Sequence, residues 1–155
     1  MEQREFARRV TAAQGSLYRV AASYLRGESD RLDAVAEAIA KAWERRRTLR
    51  EEALFATWIT RILIRVCVDI QRRQKRVIPV CEIAEKPTED ERIAALREAI
   101  DSLPQKERTM IVLYYMEGYD VRESAKLMGT TKGAVCAGLA RAREKLRAYM
   151  EEDAR

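Results

Sequence analysis

An all-α fold in two small helical domains is what the sequence predicts, on three observations. Ala, Leu, Arg and Glu dominate the chain, all of them good helix formers, and β-branched runs are scarce. Apolar residues recur every three or four positions along most of its length, the spacing of a helix that buries one face. Near the middle, residues 77–91 hold Pro79 and Pro87, carry many acids and show no period, so they read as a linker. With 155 residues, 47% of them hydrophobic, the chain has enough apolar material for one domain or two small ones.

The first element runs through Phe6, Val10, Leu17, Val20, Ala21 and Leu25 at helical spacing and stops at Gly27. In "SDRLDAVAEAIAKAWERRR" a second stripe forms from Leu32, Val35, Ile39 and Trp43, with Ser29 or Asp30 placed to cap its start. A third helix is expected over residues 54–76. Ile59, Ile62, Leu63, Val66 and Ile70 line one side of it, and Arg61, Arg65, Arg72 and Arg76 line another. Beyond the linker, "ERIAALREAIDSLPQKERTMIVLYYMEG" predicts two helices broken at Leu103 and Pro104, because proline suits a first turn and disfavours an interior. Gly118 ends the second of these. The stretch "YDVRESAKLMGTTKGAVCAGLARAREKLR" then predicts two short helices about Gly129, which favours a sharp turn. Asp120 is placed to cap the first and Thr130 or Thr131 the second, whose buried stripe is Val135, Leu139, Ala142 and Leu146. That arrangement is a helix-turn-helix.

A net charge of +5 is compatible with an anionic partner, and its clustering says more. Arg61, Arg65, Arg72, Arg73, Lys75 and Arg76 are opposed only by Asp69, a local balance of +5. Residues 132–147 set five cations against Glu144, a balance of +4, while residues 80–91 stand at −4. Two basic patches are thus joined by an acidic connector. In a helix-turn-helix the second helix enters the major groove and its N-terminal side chains touch bases. Lys132, Cys136, Ala137 and Gly138 fall off the apolar stripe, where such contacts originate. Arg141, Arg143, Lys145 and Arg147 lie further on, where phosphate contacts supply affinity without reading sequence. Gly138 costs about 1 kcal/mol of helix propensity relative to Ala, which points to close approach of another backbone. Phe55 and Trp58 open the third helix beside its basic face, and aromatics among cations suit single-stranded DNA. Burial in the core is the competing reading for both rings, and the stronger one for Phe55.

Other classes are disfavoured. Cys67, Cys81 and Cys136 lack CxxC spacing and no histidine is present, so neither a metal site nor a cofactor is expected. Without histidine a general base must come from carboxylates, Lys or Cys. Asp30, Asp33 and Glu37 share a helical face, the grouping of a metal nuclease, but Arg31 and Lys41 beside them point to a solvated or partner-binding face. No catalytic residue and no small-molecule substrate are expected. No stretch reaches the roughly 18 apolar residues of a membrane span, and "MEQREFARRV" lacks the apolar core of a signal peptide. A cytoplasmic location without membrane insertion is the expectation.

Over about residues 16–147 the chain resembles the extracytoplasmic-function (group IV) sigma factors of the sigma-70 family. The resemblance rests on "DAVAEAI…AW", then "FATWITRILIRVCVDIQRRQKR", then the acidic linker, then "LPQKERTMIVLYYMEGYDVRESAKLMGTTKGAVCAGLARAREKLR". It implies sigma region 2 at residues 1–76, a linker at 77–91 and region 4 at 92–155. By the same resemblance Asp33 and Glu37 pack on the β′ clamp helices of core RNA polymerase. Trp58, Arg61, Arg65, Arg72 and Arg73, with the loop before Trp58, capture melted bases of the −10 element, Asp69 orienting its neighbours. Thr131, Lys132, Cys136, Ala137, Gly138, Arg141 and Arg143 fall to the −35 element, while region 4 rests on the β flap. The linker would occupy the channel later used by RNA, and an anti-sigma factor, membrane-tethered, would regulate the whole.

The sequence departs from the family pattern at several places. Ala36 stands where the family commonly has Gln, Arg65 where Asn is frequent, and Ser124 where Ile is usual. "VCAGL" replaces a frequent "VKSRL", so Cys136 and Gly138 take the places of two basic reading residues. Two rivals follow: a helix-turn-helix regulator acting without polymerase, and a degenerate sigma-like decoy that titrates polymerase or an anti-sigma factor.

Overall fold

The computed structural model describes residues 1–74 and 90–153. Lys75, Arg76, Cys81 and the expected linker up to residue 89 lie outside the described residues. The chain divides into two compact units, Met1–Ile83 and Ala84–Arg155. Among the described residues all regular structure is helical.

The first unit packs α1 (Gln3–Tyr24), α2 (Glu28–Glu44) and α3 (Phe55–Gln74) against one another, with 3₁₀ turns at Arg46–Thr48 and Glu52–Leu54 before α3. α1 buries the stripe its spacing predicts, from Phe6 through Val20 and Ala21. α2 does not. Its buried line is Ala34, Ala38 and Ala42, while Val35, Ile39 and Trp43 are half-buried and Leu32 is 54% exposed. Alanines at the contact let helix axes come close, because the interaxial distance is set by the side chains between them. The larger residues are pushed to the flank. Nor do Ser29 and Asp30 cap α2: the N-cap is Gly27, with no side-chain cap, and Asp30 instead accepts a 2.6 Å hydrogen bond from Gln74 Nε2. α3 buries Phe55, Ile59, Ile62, Leu63, Val66 and Cys67. Gln71 Nε2 donates to the Tyr24 carbonyl at 2.8 Å, satisfying one of the orphan acceptors at the end of α1. Burial pushes the Cys67 thiol up to about 12, so it behaves as a small apolar residue.

The second unit contains α4 (Glu91–Asp101), α5 (Gln105–Ile111), α6 (Val121–Met128) and α7 (Lys132–Asp153). Asp90 caps α4 by accepting from Arg92 N at 3.0 Å. Pro104 stands at the N-cap of α5, as the break at Leu103 and Pro104 predicts. α5 widens into a π turn over Val112–Met116, which ends before Gly118 at φ +75°. Ile100, Leu103, Met110, Ile111, Ala125, Val135, Leu139 and Ala142 form the core, with Leu146 packed at its edge. Arg108, buried on α5, donates to the carbonyls of Asp101 and Leu103 at 3.1 and 3.2 Å. It thereby closes the end of α4, where carbonyls lack helical partners. Ser124 is fully buried in α6, and its hydroxyl is the one buried side-chain polar atom without a hydrogen-bond partner among the described residues.

An orphaned buried hydroxyl carries a desolvation cost of about 1–3 kcal/mol. Ser124→Ala is therefore expected to stabilise the second unit by about 1 kcal/mol, read as a higher urea midpoint by circular dichroism. An unchanged or lower midpoint would mean that the hydroxyl is satisfied.

Candidate nucleic-acid interface

Trp58, Arg61, Arg65, Asp69 and Arg72 succeed one another along α3 at steps of three and four residues, which puts them on one helical face. At 1.5 Å per residue the row is about 21 Å long. Its four charged members are exposed. Trp58, at the head, is half-buried. Its ring tilts against Phe55 at 5.9 Å, Phe55 meets Phe6 edge-on at 5.8 Å, and Phe6 meets Trp43 at 5.1 Å. Phe55 is thus core, while Trp58 is held on one side and open on the other. Such a ring can offer a face to a base without first being ordered.

The turn that leads into α3 is fastened by a residue that the sequence reading missed. Arg9 of α1 donates to the Glu52 carbonyl at 2.7 Å and to the Glu52 carboxylate at 3.4 Å, while its Nε holds Glu5 at 2.7 Å. Hydrogen bonds from Arg8 and Arg9 hold the Glu5 carboxyl down at about 2. A pairing across 43 residues leaves no periodic mark, so nothing local could have revealed it.

Arg73 stands apart from the Trp58 row. It lines a groove of about 420 Å³ between α2 and α3, together with Asp30, Asp33, Glu37, Ile70 and Gln74. The two acids predicted to face polymerase are therefore brought together with a cation predicted to face DNA. Glu37 is also paired with Lys41 at 3.2 Å.

In the second unit α6 ends at Gly129, whose φ of +66° turns the chain sharply. Of the two candidate caps for α7, Thr131 is the one used: its hydroxyl accepts from Ala134 N at 3.1 Å. Asp120 caps α6 at 2.7 Å through Glu123 N. Lys132, Cys136 and Ala137 are exposed along α7. Gly138 does not join them. It is buried, and a Cβ there would overlap the sulfur of Met110. The expectation that it lies on the outer face is corrected: the glycine makes room for a core thioether, not for another backbone. Arg141 and Lys145 both reach Glu107 of α5, and Arg143 donates to the Tyr115 hydroxyl at 2.6 Å, its guanidinium 5.6 Å from that ring. Among the described residues no cluster of His, Cys, Asp or Glu is suited to a metal.

Comparison with known proteins gives this geometry a frame. The model of sigma-70 region 2 matches residues 9–77, and that of sigma-70 region 4 matches residues 93–146. The chain belongs to the sigma-70 family. It is 31% identical over 149 residues to the RNA polymerase sigma factor SigV of Bacillus subtilis, covering 93% of this chain and 90% of the relative. It is 30% identical over 135 residues to the ECF sigma factor SigM of Mycobacterium tuberculosis, covering 84% and 69%. These relatives place it in the extracytoplasmic-function group. CnrH, solved in complex with the cytosolic domain of CnrY, superposes with a TM-score of 0.73 at 26% identity over 98% of this chain and 91% of that one. The sigma factor RpoE of Bartonella quintana, solved with the anti-sigma factor NepR, superposes at 0.82 over 95% and 97%; at 19% identity it shows the shared fold. The family comprises transcription initiation factors, and α6 and α7 are the DNA-binding helix-turn-helix of region 4. Among the described residues no helix is long and apolar enough to cross a membrane.

Replacing a helical glycine by alanine ordinarily gains about 1 kcal/mol, but here the new methyl meets a buried side chain. Gly138→Ala is expected to lower the stability of the second unit in thermal unfolding, and to raise it by up to about 1 kcal/mol in a Met110→Ala background. A gain in both backgrounds would show that Met110 moves aside freely.

Proposed function

We propose that the chain joins core RNA polymerase reversibly, directs it to promoters and stabilises the opened strand, leaving the chemistry to the polymerase. One observation carries the reading. The half-buried Trp58 heads a single row with Arg61, Arg65 and Arg72 on α3, an aromatic platform followed by a cationic track. Single-stranded DNA is held in this way, by base stacking and by charge along its backbone. The segment pinned by Arg9 and Glu52 sets the approach to that platform. Asp33 and Glu37 are the proposed contacts to the β′ clamp helices, and Arg73, in the same groove, belongs as much to that surface as to the −10 element. In region 4, Thr131, Lys132, Cys136, Ala137, Arg141 and Arg143 face the −35 element, while the domain rests on the β flap. Gly138 drops out of this set, because it is turned into the core. An anti-sigma factor is the proposed regulator, in keeping with the complex in which RpoE was solved with the anti-sigma factor NepR.

The exposed Cys136 and Ala137 favour a second reading, a decoy that occupies polymerase without reading promoters. Transcription with reconstituted core polymerase and a random promoter library separates the two. Promoter-dependent product supports the initiation factor, and polymerase binding without product supports the decoy.

Loss of one stacking platform costs about 1–3 kcal/mol. Trp58→Ala is therefore expected to reduce strand opening, read by permanganate reactivity, about tenfold or more while polymerase binding is retained. Equal loss of both would contradict the assignment.

A further inference from the structure

Glu107 lies beneath one basic flank of α7. It stands on α5, 6% exposed, and its carboxylate is where two cations of α7 converge. Lys145 Nζ donates to it at 2.9 and 3.1 Å, and Arg141 Nε donates at 3.3 Å. The two cations are one helical turn apart, with side chains 59% and 49% exposed for Arg141 and Lys145. Both therefore stand at the surface with a shared counter-ion underneath. Arg143, by contrast, is held by a phenol, which hydrogen-bonds it without cancelling its charge.

We infer that Glu107 is an internal counter-ion that withholds one charge of α7 from DNA phosphates, and so limits the sequence-independent grip of region 4. The inference rests on the proposal that α7 faces DNA. Counting Glu107 lowers the balance of the basic stretch from +4 to +3. A surface acid would be swung aside or screened by salt; a carboxylate fixed on a packed helix is not. A phosphate that drew both Arg141 and Lys145 away would strand a buried charge, which is strongly unfavourable. What remains for DNA is the outer edge of the Arg141 guanidinium and one ammonium proton of Lys145. Phosphate contacts raise affinity for every sequence alike, so a charge cancelled here weakens binding to bulk DNA.

The test uses the full chain and a fluorescent random-sequence duplex, with affinity measured by anisotropy across a salt series. Each neutralised phosphate contributes about 0.9 to the slope of log K against log salt. Glu107→Gln is expected to steepen the slope by about that amount and to tighten binding several-fold at about 0.1 M salt. Glu107→Gln combined with Lys145→Gln restores the charge balance and is expected to return both slope and affinity to the wild-type values. A merely structural role for Glu107 would not be reversed in this way. Unchanged or weaker binding by the single variant overturns the inference, as does a double variant that stays as tight as the single one. If Arg143→Ala and Arg147→Ala both leave the slope unchanged, α7 is not on the DNA, and the underlying reading fails instead.

Discussion

Small residues beneath the two basic helices are the constraint on which both candidate faces depend. A helix that must bury one side and present charge on the other needs a neighbour close enough to cover the buried side fully. In the first unit α2 packs against α3 and α1, and its buried line is Ala34, Ala38 and Ala42. In the second, Gly138 and Ala142 let α7 settle onto α5 around Met110. Larger side chains at these positions would lift the helices apart, opening voids along Leu63 or Leu139 that would cost more than the added contacts return. The arrangement of charge on the outside follows from how little stands on the inside.

The second unit also shows how buried polar groups are accommodated when a packed helix carries them. Glu107 and Arg108 are adjacent in sequence and both buried, yet they serve different helices. Arg108 turns toward the end of α4 and closes its carbonyls, while Glu107 turns toward α7 and gathers its cations. Each fastens α5 to a different helix. Ser124 is the exception, a hydroxyl in a place that packing alone would fill with a hydrocarbon.

Much of this was legible in the sequence, because helical periodicity and caps are local properties. The stripe of α1, the apolar side of α3, the break at Pro104, the cap at Asp120 and the left-handed Gly129 all stand where the sequence predicts them. The reading of α2 failed for an identifiable reason. Periodicity favours large apolar residues and selects Leu32, Val35, Ile39 and Trp43, whereas the buried line runs through Ala34, Ala38 and Ala42, one position before Val35, Ile39 and Trp43. The same bias puts Gly138 off the apolar stripe, because glycine has no apolar side chain although its role here is to be small. The pairings of Arg9 with Glu52 and of Arg141 and Lys145 with Glu107 join residues dozens of positions apart. Only the folded chain brings them into contact. The cationic face of Arg61, Arg65 and Arg72 is visible from spacing, but the separate placement of Arg73 in the groove with Asp33 and Glu37 is not.

Phe6, Trp43, Phe55 and Trp58 form one aromatic cluster, and those two tryptophans are the only ones in the chain. Indole emission is thus an optical label confined to the first unit, whereas the tyrosines are shared between the two. A denaturation curve followed by that emission registers the melting of one half of the molecule, and amide ellipticity registers both. Where the two traces diverge, the difference is the unfolding of the half that holds the helix-turn-helix, obtained without attaching a dye.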